Sequence, residues 1–486
     1  MAEGHYPREQ SGMPRADDLS LAQTAPLEPS HEAVARVSGP PPIATRQTPL
    51  HAHSSPANSA GAQPLPVALP ARPTTLAESG LELETLAELA LKHVVSAGSI
   101  SGGELAERLR LPLAGIVEEA ISALRRDGLV EHVAAVATPT LVGAAGIRLR
   151  PTERGTQLDR VARERSGYVG PAPVSLNAYE RMMRHQAMAA RSVKRSEVWR
   201  RMAHLVLPDE TVDSIGAALE SGGPLFFYGH PGNGKTAAAT AVAHMYPGGV
   251  HIPYAIEIDG YVVRVFDAGI HHPLPLENSS GAPRLDERWV YCATPFVRAG
   301  IELRLDQLDL HFNSDQRYYD CPIQLKAAGG VLLIDDLGGQ RDRVDDLLNR
   351  LLEPLASGMD SVTTLHGRQI PMPFTSLLIF ATSQPPDEIL AEIVLRRLPC
   401  KILIPDPTEE HFREIFHRAC QRGGIEYSQS GFEHLRERWY GMGGRAPRAC
   451  HAGELIRLVG AAARYYGVAP ALSAQLMDAA AKLYFG

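Results

Sequence analysis

Residues Gly229-His230-Pro231-Gly232-Asn233-Gly234-Lys235-Thr236 of this 486-residue chain read GxxxxGKT. Glycines let backbone N–H groups wrap an anion, the lysine counters its charge, and the hydroxyl can ligate a hard divalent cation. The apolar run Leu225–Tyr228 before the motif predicts a strand, and the Ala-rich stretch after it predicts a helix. That strand–loop–helix context is the one the pattern requires, and a helix N-terminus adds a favourable dipole for phosphate. Lys235 is expected to reach the β and γ phosphates of a nucleoside triphosphate, and Thr236 to ligate magnesium.

Carboxylates follow in the right kind of place. Val331-Leu332-Leu333-Ile334 predicts a buried strand ending in Asp335-Asp336, the Walker B pattern. Asp335 is expected to hold magnesium and Asp336 to orient or deprotonate the attacking water. A further strand, Leu377–Ala381, ends in Thr382-Ser383. Beyond it come Leu395-Arg396-Arg397-Leu398-Pro399, the strand Lys401–Ile404, and helices beginning near Thr408, Gly431, Pro447 and Ser473.

Over residues 198–486 these features together resemble an AAA+ ATPase. The resemblance implies an α/β P-loop core over 198–407 with a C-terminal α-helical lid over 408–486. It implies ATP and magnesium as cofactors, and self-assembly into a ring, expected to be a hexamer. It makes Ser383 the sensor 1 residue, with Thr382 adjacent. It makes Arg397 the arginine finger, with Arg396 as the alternative, and Arg448 of Ala446-Pro447-Arg448 the sensor 2 residue, with Arg445 as the fallback. Two residues depart from the family pattern: Asp336 stands where Glu is usual, and Ser383 where Asn is common. Paired Asp also occurs in the family's helicase loaders and transposition helpers, so slow hydrolysis is expected rather than loss of nucleotide binding.

The segment Pro322–Gly330 resembles the approach to Walker B in enhancer-dependent activators and MoxR-like chaperones. A hairpin over Ser361–Pro373, turning at His366-Gly367, resembles the pre-sensor-1 insertion of remodelling branches. Another is signalled by Asp259-Gly260 between Tyr254–Ile258 and Tyr261–Phe266. Over residues 81–486 the arrangement is similar to bacterial AAA+ proteins that pair a winged-helix-like N-domain with an insertion-bearing core.

That N-domain has its own signals. Leu83, Leu86, Leu89, Leu91 and Val94 recur at helical spacing up to Gly98, and Ser101 with Glu104 reads as a capping box for a second helix. Pro112 is expected to open a third helix, closed by Asp127-Gly128, before β-like runs at Leu129–Val136 and Ile147–Leu149. Three helices and a hairpin resemble a winged helix over 81–165. That span holds 12 acidic and 11 basic side chains, so it offers little counterion-release affinity for DNA. Protein docking is therefore favoured over DNA reading.

Residues 1–76 carry 13 of the 38 Pro and read as a disordered tail. Residues 166–197 read as a connector: an irregular Pro/Gly stretch, then a solvated basic helix bearing Arg181, Arg184, Arg191, Lys194 and Arg195. His271-His272 lacks a third ligand at convincing spacing, and Tyr318-Tyr319 reads as one core and one surface residue in preference to a pore grip. Hydrophobic residues make up 44% and charged ones 21%, with no apolar run of membrane-spanning length, so no membrane partner is expected. Five scattered cysteines fit reduced thiols in a cytoplasm. The resulting expectation is an ATP hydrolase that remodels an unknown protein client. The rivals are a DNA-directed ATPase using the winged helix and a nucleotide-dependent scaffold with little turnover.

Overall fold

The computed structural model describes residues 69–133, 148–188, 191–246, 248–275, 284–441 and 444–486. Five strands form a parallel sheet: β1 (Leu225–Tyr228), β2 (Phe296–Ala299), β3 (Val331–Ile334), β4 (Leu377–Thr382) and β5 (Cys400–Leu403), in the order β2-β3-β4-β1-β5. Every residue of β3 and β4 is buried, as a parallel sheet covered on both faces demands. Alternation divides them. Leu225, Phe227, Leu333 and Ile379 pack against helices Arg195–Met202, Asp209–Glu220 and Lys235–Ala243. Phe226, Leu332, Ile334, Leu378 and Phe380 pack on the other side against Val344–Ser357 and Glu392–Arg397. Because the strands run parallel, the segments that follow β1, β3, β4 and β5 emerge at one edge, where open α/β sheets bind ligands.

Helices Glu409–Gly423, Gln429–Leu435, Ala449–Tyr466 and Ala474–Phe485 enclose a core of their own around Phe412, Phe416, Phe432, Leu455 and Met477. Thr408 and Ser473 cap the first and last of them.

Three segments differ from the sequence expectation. Residues 69–76 do not belong to a free tail: the Asp286 N–H donates to the Pro70 carbonyl at 2.8 Å, and the Arg72 N–H donates to Arg284 at 3.2 Å. The rest of that predicted tail lies outside the described residues. The third helix does not start at Pro112, because Gly115 has φ +78° and its bare Cα lies against the Thr74 carbonyl, which an added Cβ would approach to 2.7 Å. The regular helix runs Glu118–Arg126. The hairpin survives as Val130–Val133 and Arg148–Pro151, joined by Ile100–Ser101 in a three-stranded antiparallel sheet, and its tip lies outside the described residues.

The connector is the third. Val174–Ser175 is the edge strand of a second five-stranded sheet, which also contains the expected hairpin Ala255–Ile258 and Tyr261–Arg264. Asp259 and Gly260 both take positive φ, as a two-residue type I′ turn requires. The helix Leu176–His185 buries Tyr179, Met182 and Met183 in the same core, leaving only Arg181 and Arg184 of the basic set on it. Tyr318 and Tyr319 are both buried, which removes the surface role given to one of them and any grip on a polymer. Among the described residues no helix is long and apolar enough to cross a membrane.

Candidate functional site

Strand β1 delivers the chain into a loop that only glycine can follow at two points. Gly229 has φ +134°, and a Cβ there would stand 2.2 Å from the Ile404 carbonyl. Gly232 has φ +86°, and a Cβ there would meet Cys450 Sγ at 2.3 Å. The loop is thus pressed between the end of β5 and the C-terminal helices, with its N–H groups leading into the helix Lys235–Ala243.

Lys235 is nearly buried, and its ammonium donates to Gly229 O at 2.8 Å, His230 O at 3.0 Å and Ser383 Oγ at 3.2 Å. Burial holds its pKa below the ordinary lysine value, Asp336 and Asp335 oppose that, and the Arg448 charge adds to it. A desolvated cation with only neutral oxygens for partners is strongly biased toward an anionic ligand. Thr236 Oγ1 donates to Asp335 Oδ2 at 2.8 Å, and Asp335 is 2% exposed. A hydroxyl and a carboxylate in contact form a hard-oxygen pair suited to magnesium.

Asp336 follows in the left-handed region at φ +49°, exposed, with its N–H donating to Asp335 Oδ1 at 3.1 Å. Aspartate tolerates that conformation better than most residues, and such backbone outliers concentrate at working sites. Thr382, one residue before Ser383, spends its hydroxyl on the Leu337 carbonyl at 2.9 Å and so fixes this turn. The two neighbours have separate jobs: Ser383 faces Lys235, and Thr382 holds the carboxylate loop.

Arg448 stands at the N-cap position of the helix Ala449–Tyr466, its Nη1 3.9 Å from Asp406 Oδ1. Arg445 turns away, with its guanidinium 4.8 Å from the centre of the Phe485 ring. Arg397 lies apart, paired with Glu353 at 3.0 Å, and Arg396 pairs with Glu392. Neither joins the cluster around Lys235. His271 is committed to backbone, accepting from the Asp267 N–H at 2.9 Å and donating to the Lys326 carbonyl at 2.8 Å.

Two site residues were not read from the sequence. Asp406, between Pro405 and Pro407 after β5, accepts from Asn233 Nδ2 at 2.7 Å and from His230 Nδ1 at 3.0 Å. Burial alone would raise its carboxyl, but the hydrogen bonds from Asn233 and His230 hold it below its ordinary value. The Cys450 N–H donates to the Gly232 carbonyl at 2.9 Å, so the helix Ala449–Tyr466 also holds the loop. The clue was a carboxylate fixed between prolines at the strand edge. Arg298, on β2, pairs with Asp335 Oδ2 at 2.8 Å. Its clue was a lone charge inside an apolar strand.

These features place a glycine-rich loop of the P-loop pattern between a strand and a helix of a parallel α/β sheet. Residues 408–483 match the family model described as a domain of unknown function, DUF8689. No curated protein matches the chain. Among solved structures, a RuvB mutant from Thermotoga maritima is 13% identical, with 61% of this chain and 72% of that one covered, at a TM-score of 0.33. NtrX from Brucella abortus in complex with ADP is 13% identical over 75% and 65% of the two chains, at 0.36. The same protein in complex with ATP is 14% identical over 77% and 71%, at 0.35. Likeness at these scores has no bearing on function.

Proposed function

We propose that this chain is an AAA+-type ATPase that binds ATP with magnesium and hydrolyses the γ phosphate. The observation that carries the reading is Lys235, desolvated among the Gly229 and His230 carbonyls and Ser383 Oγ beside the Thr236–Asp335 pair. In this reading the residues 229–236 cradle the phosphates, Asp335 and Thr236 hold the metal, and Asp336 orients water. Ser383 senses the γ phosphate, and Arg448 approaches it from the lid over residues 408–486.

Arg397 is assigned to the site of a neighbouring subunit in a ring, a hexamer by family resemblance. Its solvent-facing ion pair with Glu353 supports an outward role. We take the client to be a protein complex and the setting cytoplasmic. Residues 81–165, winged-helix-like, serve as the adaptor. The helix Glu118–Arg126 opens with two acids, a poor start for a DNA-reading element. The adaptor also packs on the second sheet: its helices share a core with Ala255 and Tyr318 of that sheet, where Tyr168 and Tyr318 meet edge to face at 5.6 Å. Asp336→Asn separates binding from chemistry: it should retain ATP in a fluorescent-nucleotide titration and lose most phosphate release. Turnover at the parent rate would remove Asp336 from the mechanism.

A further inference from the structure

Asp335 has no free oxygen. Its Oδ1 accepts from the Asp336 N–H at 3.1 Å. Its Oδ2 accepts from Thr236 Oγ1 at 2.8 Å and from Arg298 Nη2, also at 2.8 Å. The oxygen that faces Thr236, and would complete a metal-holding pair with it, therefore already carries a guanidinium. Arg298 reaches it because β2 lies parallel to β3 with Arg298 opposite Leu333, and because the Asp335 N–H donates to the Ala299 carbonyl at 2.7 Å. That backbone bond fixes the spacing of the two strands from which the side chains extend.

The two partners are unequal. The Asp335 side chain is 2% exposed and held by two donors besides Arg298, whereas that of Arg298 is 54% exposed and free to turn outward. A guanidinium and a divalent cation cannot share one carboxylate oxygen without strong like-charge repulsion, so one must leave. Leaving falls to Arg298. A second carboxylate follows four residues on in the chain: Glu302, exposed on the loop after β2, accepts from the Gly300 N–H at 2.7 Å. Its carboxyl is held below the ordinary value by the Gly300 N–H, then by its own backbone, and also by the charge of Arg298.

We propose that Arg298 competes with magnesium for Asp335, so that metal entry is coupled to the swing of this guanidinium toward Glu302. The proposal rests on the nucleotide-site reading above. It makes Arg298 a positioning residue that sets how much magnesium the site needs.

The test titrates magnesium at fixed fluorescent ATP analogue on the full chain, with manganese paramagnetic resonance counting metal bound beside ATP. Arg298→Gln removes the competitor and should lower the metal concentration at half-effect by about tenfold, which corresponds to about 1.4 kcal/mol. Glu302→Gln removes the alternative partner and should raise it by about two- to threefold, the modest effect of an exposed pair. Arg298→Lys keeps the charge without the fork and should fall between parent and Arg298→Gln, so it decides the matter if the glutamine variant does not fold. If the parent binds nucleotide and both Arg298 variants keep its metal midpoint, the competition is refuted while the site reading stands. If the parent binds no nucleotide with or without metal, the site reading itself fails.

Discussion

Asp406→Ala tests whether the segment that follows β5 shapes the phosphate loop. The carboxylate receives a charge-assisted bond from Asn233 at 2.7 Å, and Asn233 is 4% exposed. Its removal leaves a buried amide without its acceptor, a loss of about 1.5–3 kcal/mol for such a bond. The His230 contact is largely solvent-exposed and the Arg448 contact is long at 3.9 Å, so both add little. About 2 kcal/mol is therefore expected in denaturant unfolding of the site. If ATP must then rebuild the loop before binding, its affinity should fall by up to about thirtyfold, the same free energy read as a binding constant. Asp406→Asn, which keeps an acceptor without the charge, should lose roughly half as much. Parallel denaturation curves and nucleotide titrations read both numbers. An Asp406→Ala chain with parental stability and ATP affinity would show that Asn233 needs no partner and that the segment after β5 does not shape the loop.

Two further outcomes are expected. Arg397→Ala should bind ATP nearly as the parent does yet hydrolyse it about 10³-fold more slowly. Mixed with Lys235→Ala subunits after proven subunit exchange, it should regain turnover, and full activity as a stable monomer would refute the shared site. His251, 1% exposed and with neither ring nitrogen partnered among the described residues, is pushed by burial from 6.5 to about 4. Its folded value lies below the unfolded one, so its contribution is complete above about pH 6.5 and is lost as pH falls toward 4, about 3 kcal/mol in all. His251→Leu should flatten that part of the stability–pH curve, and an unchanged slope would locate the acid sensitivity elsewhere.

The part of the candidate site that lies in contiguous residues was legible as strand, loop and helix, because these are local features. Strand ends carrying Asp335 and Ser383 were legible for the same reason. Asp406 and Arg298 were not, since each meets its partner only through strand pairing: β5 beside β1, and β2 beside β3. One sequence does not state which strands are neighbours. The connector was misread for a different reason. Tyr179, Met182 and Met183 have the spacing of a buried helix face, but the arginines between them drew the reading toward solvent. Gly115 was passed over inside an apparently helical run because the crossing of Thr74 that requires it is a tertiary contact.

The central claim is that Lys235 has its buried place in order to meet a nucleotide's phosphates. Titration of fluorescent ATP against parent and Lys235→Ala, with folding of both verified by circular dichroism, tests it most directly. Micromolar binding by the parent and at least tenfold weaker binding by the variant, about 1.4 kcal/mol, is the expected result. Equal affinity of the two folded proteins would contradict it.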